Sequence, residues 1–403
     1  MAPNKVIPEQ LEKYDSFYLY DERTIDAGLR RLKEHFPQVE FLYSVKCNPN
    51  PHVLHSVFSH GLGADAASAG EVALARQAGL SPDRIYFSAP GKSDGDIRST
   101  LGRAVLIADS LNEISRIDAI AAQNGTTVNI GIRVNPDFTF QGDGGQASKF
   151  GIDEAEALSF LAQNQCRNVR VNGIHVHLKS QELNADTLAG YYRRMFALAE
   201  KFAQVCGSLE YVNMGSGMGV PYTPDDAPLD MAALGAAFDK ALAGYRERHP
   251  HTRIIIETGR YAVCASGLYV TKVLDRKVSH GKTYLILKNT LNGFIRPSLA
   301  QMVMKYSSSA SPAGTEPLFT AKDAFAIRTL KDDAPSEVVT LVGNLCTGAD
   351  VIAEDIRLPR LEIGDAVLLT NAGGYAAVLS PMQFSSQEQP RELFLTLSGE
   401  VLL

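Results

Sequence analysis

Residues 39–46 read VEFLYSVK, a short β-branched and aromatic run that stops on a lysine. A longer amphipathic stretch follows, and then a second apolar run, GLGADAA, at residues 61–67. Strand, helix and returning strand form the unit from which a parallel sheet is built, so this alternation decides the fold. It recurs as RIYFSAP (84–90), AVLIADS (104–110), TVNIGIRVN (127–135), VNGIHVHL (171–178), LEYVNMG (209–215) and RIIIETG (253–259). Between the runs the apolar residues repeat with helical period, as over Asn112–Gln123 and Leu188–Val205. Eight such units predict an α/β fold with a closed (β/α)8 barrel of the TIM type, and a doubly wound open sheet is the competing arrangement.

Past Tyr261 the helical period fades. YVTKVLDRKV, KTYLILKN, SEVVTLVG and DAVLLTN are separated by Gly, Pro, Ser and Asp clusters, which predicts an all-β domain at the C-terminal side. The expected division is a barrel over 25–265 and a β domain made of 1–24 and 266–403. Phe17–Asp21, FYLYD, is a short strand whose natural partner is that β domain. Tyr306–Thr315, YSSSASPAGT, has too few apolar groups to pack and reads as an exposed loop.

The chain has 403 residues, more than one core usually organises, and 45% hydrophobic against 21% charged residues is an ordinary globular balance. No apolar run is long enough for a bilayer, and Met1–Glu12 does not resemble a secretory signal, so the cytoplasm is the expected location. Five scattered cysteines, Cys47, Cys166, Cys206, Cys264 and Cys346, show neither zinc spacing nor a disulfide framework, and no metal is expected. A net charge of −6 gives no reason to expect nucleic acid or an anionic membrane. Small-molecule chemistry is the reading that survives.

In parallel barrels the reactive groups gather at the carboxyl ends of the strands. Here those ends carry Lys46, Asp65, His175, His177 with Ser180 just beyond, Gly215-Ser216-Gly217, and Glu257-Thr258-Gly259-Arg260. An amine closing an apolar run loses hydration and becomes a nucleophile able to form an imine; a surface lysine capping a strand is the plainer alternative. Gly215, Gly217 and Gly219 let backbone amides approach a phosphate, and a helix starting after them would add its positive end. Arg260 suits a phosphate and Glu257 a protonated ring nitrogen, although either can be an ordinary ion pair. His177 is either a satisfied core histidine or a flat ring lying on a cofactor. Together these residues specify an anionic aromatic cofactor.

Along nearly its whole length the chain resembles the fold-type III pyridoxal-phosphate decarboxylases, which include the diaminopimelate, ornithine and arginine decarboxylases. YSVKCN, ADAASAGE, SKFGI, HVHLKSQ, MGSGMGVPY, ETGRY, GNLCTGAD and NAGGY carry the resemblance, in that order. It implies an alanine-racemase-like barrel with pyridoxal 5′-phosphate joined to Lys46 and supported by Asp65. His177 would stack on the ring and Glu257 would bind its nitrogen. Ser180, Gly217, Gly259, Arg260 and Tyr375 would hold the phosphate, with Gly215 and Ser216 also among the cofactor-binding residues. It further implies a homodimer with shared sites, Cys346 and Tyr375 of one copy completing the site of the other, and Cys346 protonating the product carbon.

Three positions bear on substrate. Relatives acting on free diamino acids usually carry an acid after the catalytic cysteine, and here that residue is Thr347. Lys179 stands where glycine is common, and Arg296 matches a position that diaminopimelate decarboxylases use for a substrate carboxylate. Siderophore-pathway decarboxylases show the Cys-Thr pairing, so a citryl-serine or citryl-diaminopropionate substrate is expected. meso-Diaminopimelate is the alternative, while a racemase or a non-catalytic regulator fits less well with Lys46 and Cys346 both retained.

Overall fold

The computed structural model describes residues 3–140, 142–163, 166–215, 217–306, 324–331 and 334–403. Most of the expected loop at 306–315 therefore lies outside the described residues. The chain divides into two compact units, one of residues 29–219 and 228–259, the other of 1–28, 220–227 and 260–403.

The first unit is the closed barrel. Its strands are Glu40–Ser44, Gly63–Ala66, Ile85–Phe87, Val105–Ala108, Val128–Asn135, Val169–His175, Tyr211–Asn213 and Arg253–Thr258. Each pairs in parallel with its neighbours, and the eighth closes on the first through Ile255 and Glu40. All eight expected strands are present. The helices that follow start on polar caps: Ser68 accepts from Glu71 N at 3.1 Å, Ser110 from Glu113 N at 3.1 Å and Asn184 from Thr187 N at 2.8 Å. The barrel interior is filled by Leu42, Tyr86, Ile107, Tyr211 and Ile255. Tyr211 needs two glycines, since a Cβ at Gly131 or at Gly173 would overlap its ring.

The second unit contains a mixed sheet ordered Val351–Pro359, Ser336–Gly343, Lys282–Leu287, Gly267–Ser279, Ser16–Asp21, Arg391–Leu395 and Val401–Leu402. The FYLYD run lies in this sheet, antiparallel to Gly267–Thr271 and parallel to Arg391–Leu395. Phe17, Leu19, Val270, Leu368, Leu393 and Leu395 pack its core. Among the described residues no helix is long and apolar enough to cross a membrane.

Candidate active site

The first barrel strand stops at Ser44, and Val45–Cys47 forms one 3₁₀ turn that lifts Lys46 out of the sheet. Its Nζ lies 2.7 Å from Asp65 Oδ2, with the lysine side chain 40% exposed and the aspartate wholly buried. Asp65 also accepts from Ser44 Oγ at 2.9 Å and Ser88 Oγ at 2.7 Å. The expectation of an amine stripped of water is thereby corrected: the turn leaves it partly hydrated and ion-paired. Asp65, anchored by two hydroxyls, fixes where the amine stands.

Glu257 sits near the end of the eighth strand, 2% exposed. Asn213 Nδ2 donates to its Oε1 at 3.0 Å, His175 Nε2 lies 3.0 Å from the same oxygen, and His177 Nδ1 lies 3.3 Å from Oε2. Burial opposes ionisation, but His175 and His177 outweigh it and hold the carboxyl well below its usual range. Burial also pushes His175 down, against the opposing pull of Glu257. A buried carboxylate that stays ionised is the partner a protonated ring nitrogen requires.

Of the two histidines, His175 is 2% and His177 28% exposed at the side chain, so His177 is the one that presents a face. Gly215 has φ +64° and passes so close to Val176 O and the His177 backbone that any Cβ would overlap them. At Gly217 a Cβ would stand 2.7 Å from Leu188 Cδ2, and at Gly259 3.1 Å from Cys47 Cβ. Ser216 lies outside the described residues. No helix begins after Gly219; residues 220–230 are irregular and the next helix is Met231–Arg246. Pro221 and Pro224 disfavour earlier helix propagation, which corrects the expected helix dipole. Ser180 is partly exposed, and Lys179 Nζ is engaged by Glu182 Oε2 at 2.9 Å.

Arg133 was not anticipated. It is 7% exposed and donates from Nη2 to His177 O at 3.2 Å, while Nη1 lies 3.7 Å from Asp109. Its guanidinium lies 4.2 Å from the Phe150 ring centroid, and Asp109 Oδ2 accepts from Gly151 N at 3.1 Å. The signal was present in two places, an arginine inside the fifth strand and the SKFGI motif, whose packing together no spacing rule reveals.

In the second unit Arg260 is 5% exposed, its guanidinium 5.3 Å from the Tyr375 ring and 5.8 Å from the Tyr222 ring. Arg296 is 1% exposed, 5.1 Å from the rings of both Tyr222 and Phe325. Its Nη1 reaches Tyr222 OH at 3.4 Å and Gly374 O at 3.3 Å, while Nε and Nη2 have no hydrogen-bond partner. Cys346 is exposed. In its loop, Thr347 Oγ1 accepts from Ala349 N at 3.3 Å. Asp350, 2% exposed, turns inward to Thr290 Oγ1, to Leu291 N at 2.9 Å and to Leu345 N at 3.1 Å.

A partly hydrated amine on a fixed aspartate, an ionised buried carboxylate and glycines at positions a Cβ would fill together fit pyridoxal phosphate. Residues 22–264 match the profile of the pyridoxal-dependent decarboxylases, pyridoxal binding domain. The chain belongs to that family, and it is a pyridoxal-phosphate-dependent carboxy-lyase of the fold-type III decarboxylases. It is 33% identical to the L-glutamyl-[BtrI acyl-carrier protein] decarboxylase of Niallia circulans, covering 94% of this chain and 88% of that one. It is 28% identical to the diaminopimelate decarboxylase of Aquifex aeolicus, covering 90% and 82%. The crystal structure of Helicobacter pylori diaminopimelate decarboxylase complexed with L-lysine superposes with TM-score 0.82 at 28% identity, over 98% of this chain and 95% of that one.

Proposed function

We propose that this decarboxylase acts on an amino-acid conjugate whose distal end carries no free ammonium, a citryl-serine or citryl-diaminopropionate siderophore precursor being the finer reading. The observation that carries it is the Cys346 loop. Its one carboxylate, Asp350, is spent on Thr290, Leu291 and Leu345, and the residue after the cysteine is a threonine whose hydroxyl caps the loop. A distal ammonium would find no anion on that loop, and leaving it unpaired would weaken binding. Arg296, with two nitrogens lacking partners, is assigned to a distal carboxylate, reached when Tyr222 or Phe325 turns aside. Lys179, ion-paired to Glu182 at 2.9 Å, is the other residue assigned to the substrate.

When bound, pyridoxal phosphate supplies an electron-poor ring that accepts the electron pair left as the α-carboxylate departs. Lys46 Nζ would hold that group and Asp65 would orient the amine. Glu257 would keep the ring nitrogen protonated and His177 would cover one face. Ser180, Gly215, Ser216, Gly217, Gly259, Arg260 and Tyr375 are assigned to the phosphate. Cys346 Sγ–H would deliver the proton to the α-carbon in a homodimer whose copies complete each other's sites. We place the enzyme in the cytoplasm.

Carbon dioxide release from purified enzyme separates the readings when citryl-serine, citryl-diaminopropionate, the glutamyl carrier-protein conjugate and meso-diaminopimelate are compared. Turnover of a citryl conjugate is expected; turnover of meso-diaminopimelate alone would establish the second reading, which the similarity to diaminopimelate decarboxylases favours.

A further inference from the structure

Alternate residues of a barrel strand face the interior, so the inward positions two residues on from Gly173, Tyr211 and Ile255 are His175, Asn213 and Glu257. There the apolar barrel core gives way to a buried polar layer. Asn213 is fully buried and both ends of its side-chain amide are used: Gly215 N donates to Oδ1 at 2.9 Å, and Nδ2 donates to Glu257 Oε1 at 3.0 Å. The reverse orientation would set two N–H groups against each other and an oxygen against a carboxylate, so these partners fix the amide. The sheet does not depend on these bonds. Val176 N donates to Asn213 O at 3.0 Å, Met214 N to Ile255 O at 2.9 Å and Glu257 N to Gly215 O at 2.8 Å, which already lace the sixth, seventh and eighth strand ends together.

We propose that Asn213 is a positioning residue that sets the span between the two ends of the cofactor site. The inference rests on the assignment of Glu257 to the ring nitrogen and of the turn at Gly215 to the phosphate. One amide then carries the register from the carboxylate to the turn, whose first residue, at φ +64°, is pressed against Val176 O. Glu257 is held on both oxygens, Oε1 by Asn213 and by His175 Nε2 at 3.0 Å, Oε2 by His177 Nδ1 at 3.3 Å. A residue serving stability alone at this depth would be apolar, as Ile255 is two residues before Glu257, because a buried amide costs free energy unless it is fully bonded.

The test strips the full-length enzyme of cofactor and measures its affinity for pyridoxal phosphate and for pyridoxal, which has the ring without the phosphate. The ratio of the two affinities reports how well both ends are engaged together. Asn213→Ala should lower that ratio about tenfold, the scale of one buried hydrogen bond. Asn213→Ser, whose hydroxyl is too short to reach both partners, carries the same test where the alanine variant does not fold. Asn213→Asp keeps an acceptor for Gly215 N but turns an oxygen toward Glu257 Oε1. Its ratio should stay near the parental value while kcat falls about tenfold with KM little changed. A parental ratio in Asn213→Ala and Asn213→Ser, even with a lowered unfolding midpoint, would overturn the inference, since structural support acts on both ligands alike. Parental kcat in Asn213→Asp would do the same, and either result leaves the assignment of Glu257 standing. Parental kcat in Glu257→Gln would remove that assignment and the inference with it.

Discussion

Two lysines stand beyond the carboxyl ends of barrel strands, and their surroundings could hardly differ more. Lys92 is wholly buried at the side chain, and its Nζ donates to Ala89 O, Ile107 O and Glu113 Oε1, each at 2.7 Å. Burial pushes it down and Glu113 pulls back; all three N–H groups are consumed. Lys46 is 40% exposed and rests on an aspartate that two hydroxyls immobilise. One lysine braces the loop after the third strand. The other is half-exposed along its stem and held at its amine by Asp65, so position at a strand end confers reactivity only when the surroundings leave the amine able to move.

The largest effect should come from exchanging their fates. Lys46→Ala should abolish the visible cofactor band and lower turnover about a thousandfold or more, with a smaller loss of stability because buried Asp65 keeps only its two hydroxyl donors. Lys92→Met should keep the band but cost about 3–5 kcal/mol of stability, because Glu113 is left buried and alone. Urea titration and absorbance on both variants decide the matter, and a Lys92→Met protein that is stable yet colourless would reverse the comparison.

A smaller effect is expected at Glu257. Glu257→Gln should reduce kcat about a hundredfold with KM little changed, since the ring nitrogen would lose its anion. The same site sets a pH dependence. Glu257 and His175 are both depressed on folding from 4.5 and 6.5, so the unfolded chain binds more protons as pH falls. The share from His175 is complete above about pH 7 and is lost as pH falls below 6.5, whereas that from Glu257 is complete above about pH 5 and is lost only below 4.5. Below pH 4.5 unfolding midpoints should slope less in Glu257→Gln than in the parent; equal slopes there would remove the carboxylate from the account.

The smallest change is predicted for the Cys346 loop. Thr347→Asp should raise kcat/KM for meso-diaminopimelate about tenfold, the scale of one partly exposed charge pair, and lower it for a citryl conjugate. Steady-state rates on both substrates would show the crossing.

The barrel was legible because parallel strands buried on both faces leave continuous apolar runs that a reader can count. In the β unit, Val351–Pro359 and Arg391–Leu395 escaped notice. VIAEDIRLP mixes charges into a strand at the sheet's end, and RELFL begins with two charged residues. Lys46 and Glu257 stood out at strand ends, yet the hydration of Lys46 was misjudged because one 3₁₀ turn after Ser44 was invisible. Arg133 was passed over inside its strand, and the link between Tyr211 and the glycines at 131 and 173 depends on closure of the barrel.

Borohydride reduction of the holoenzyme followed by peptide mass mapping tests the central claim most directly, because it freezes the cofactor onto whichever amine holds it. The account predicts a pyridoxyl-phosphate adduct on Lys46 alone, absent from Lys92 and Lys179. An adduct on Lys92, or none on the peptide containing Lys46, would contradict it.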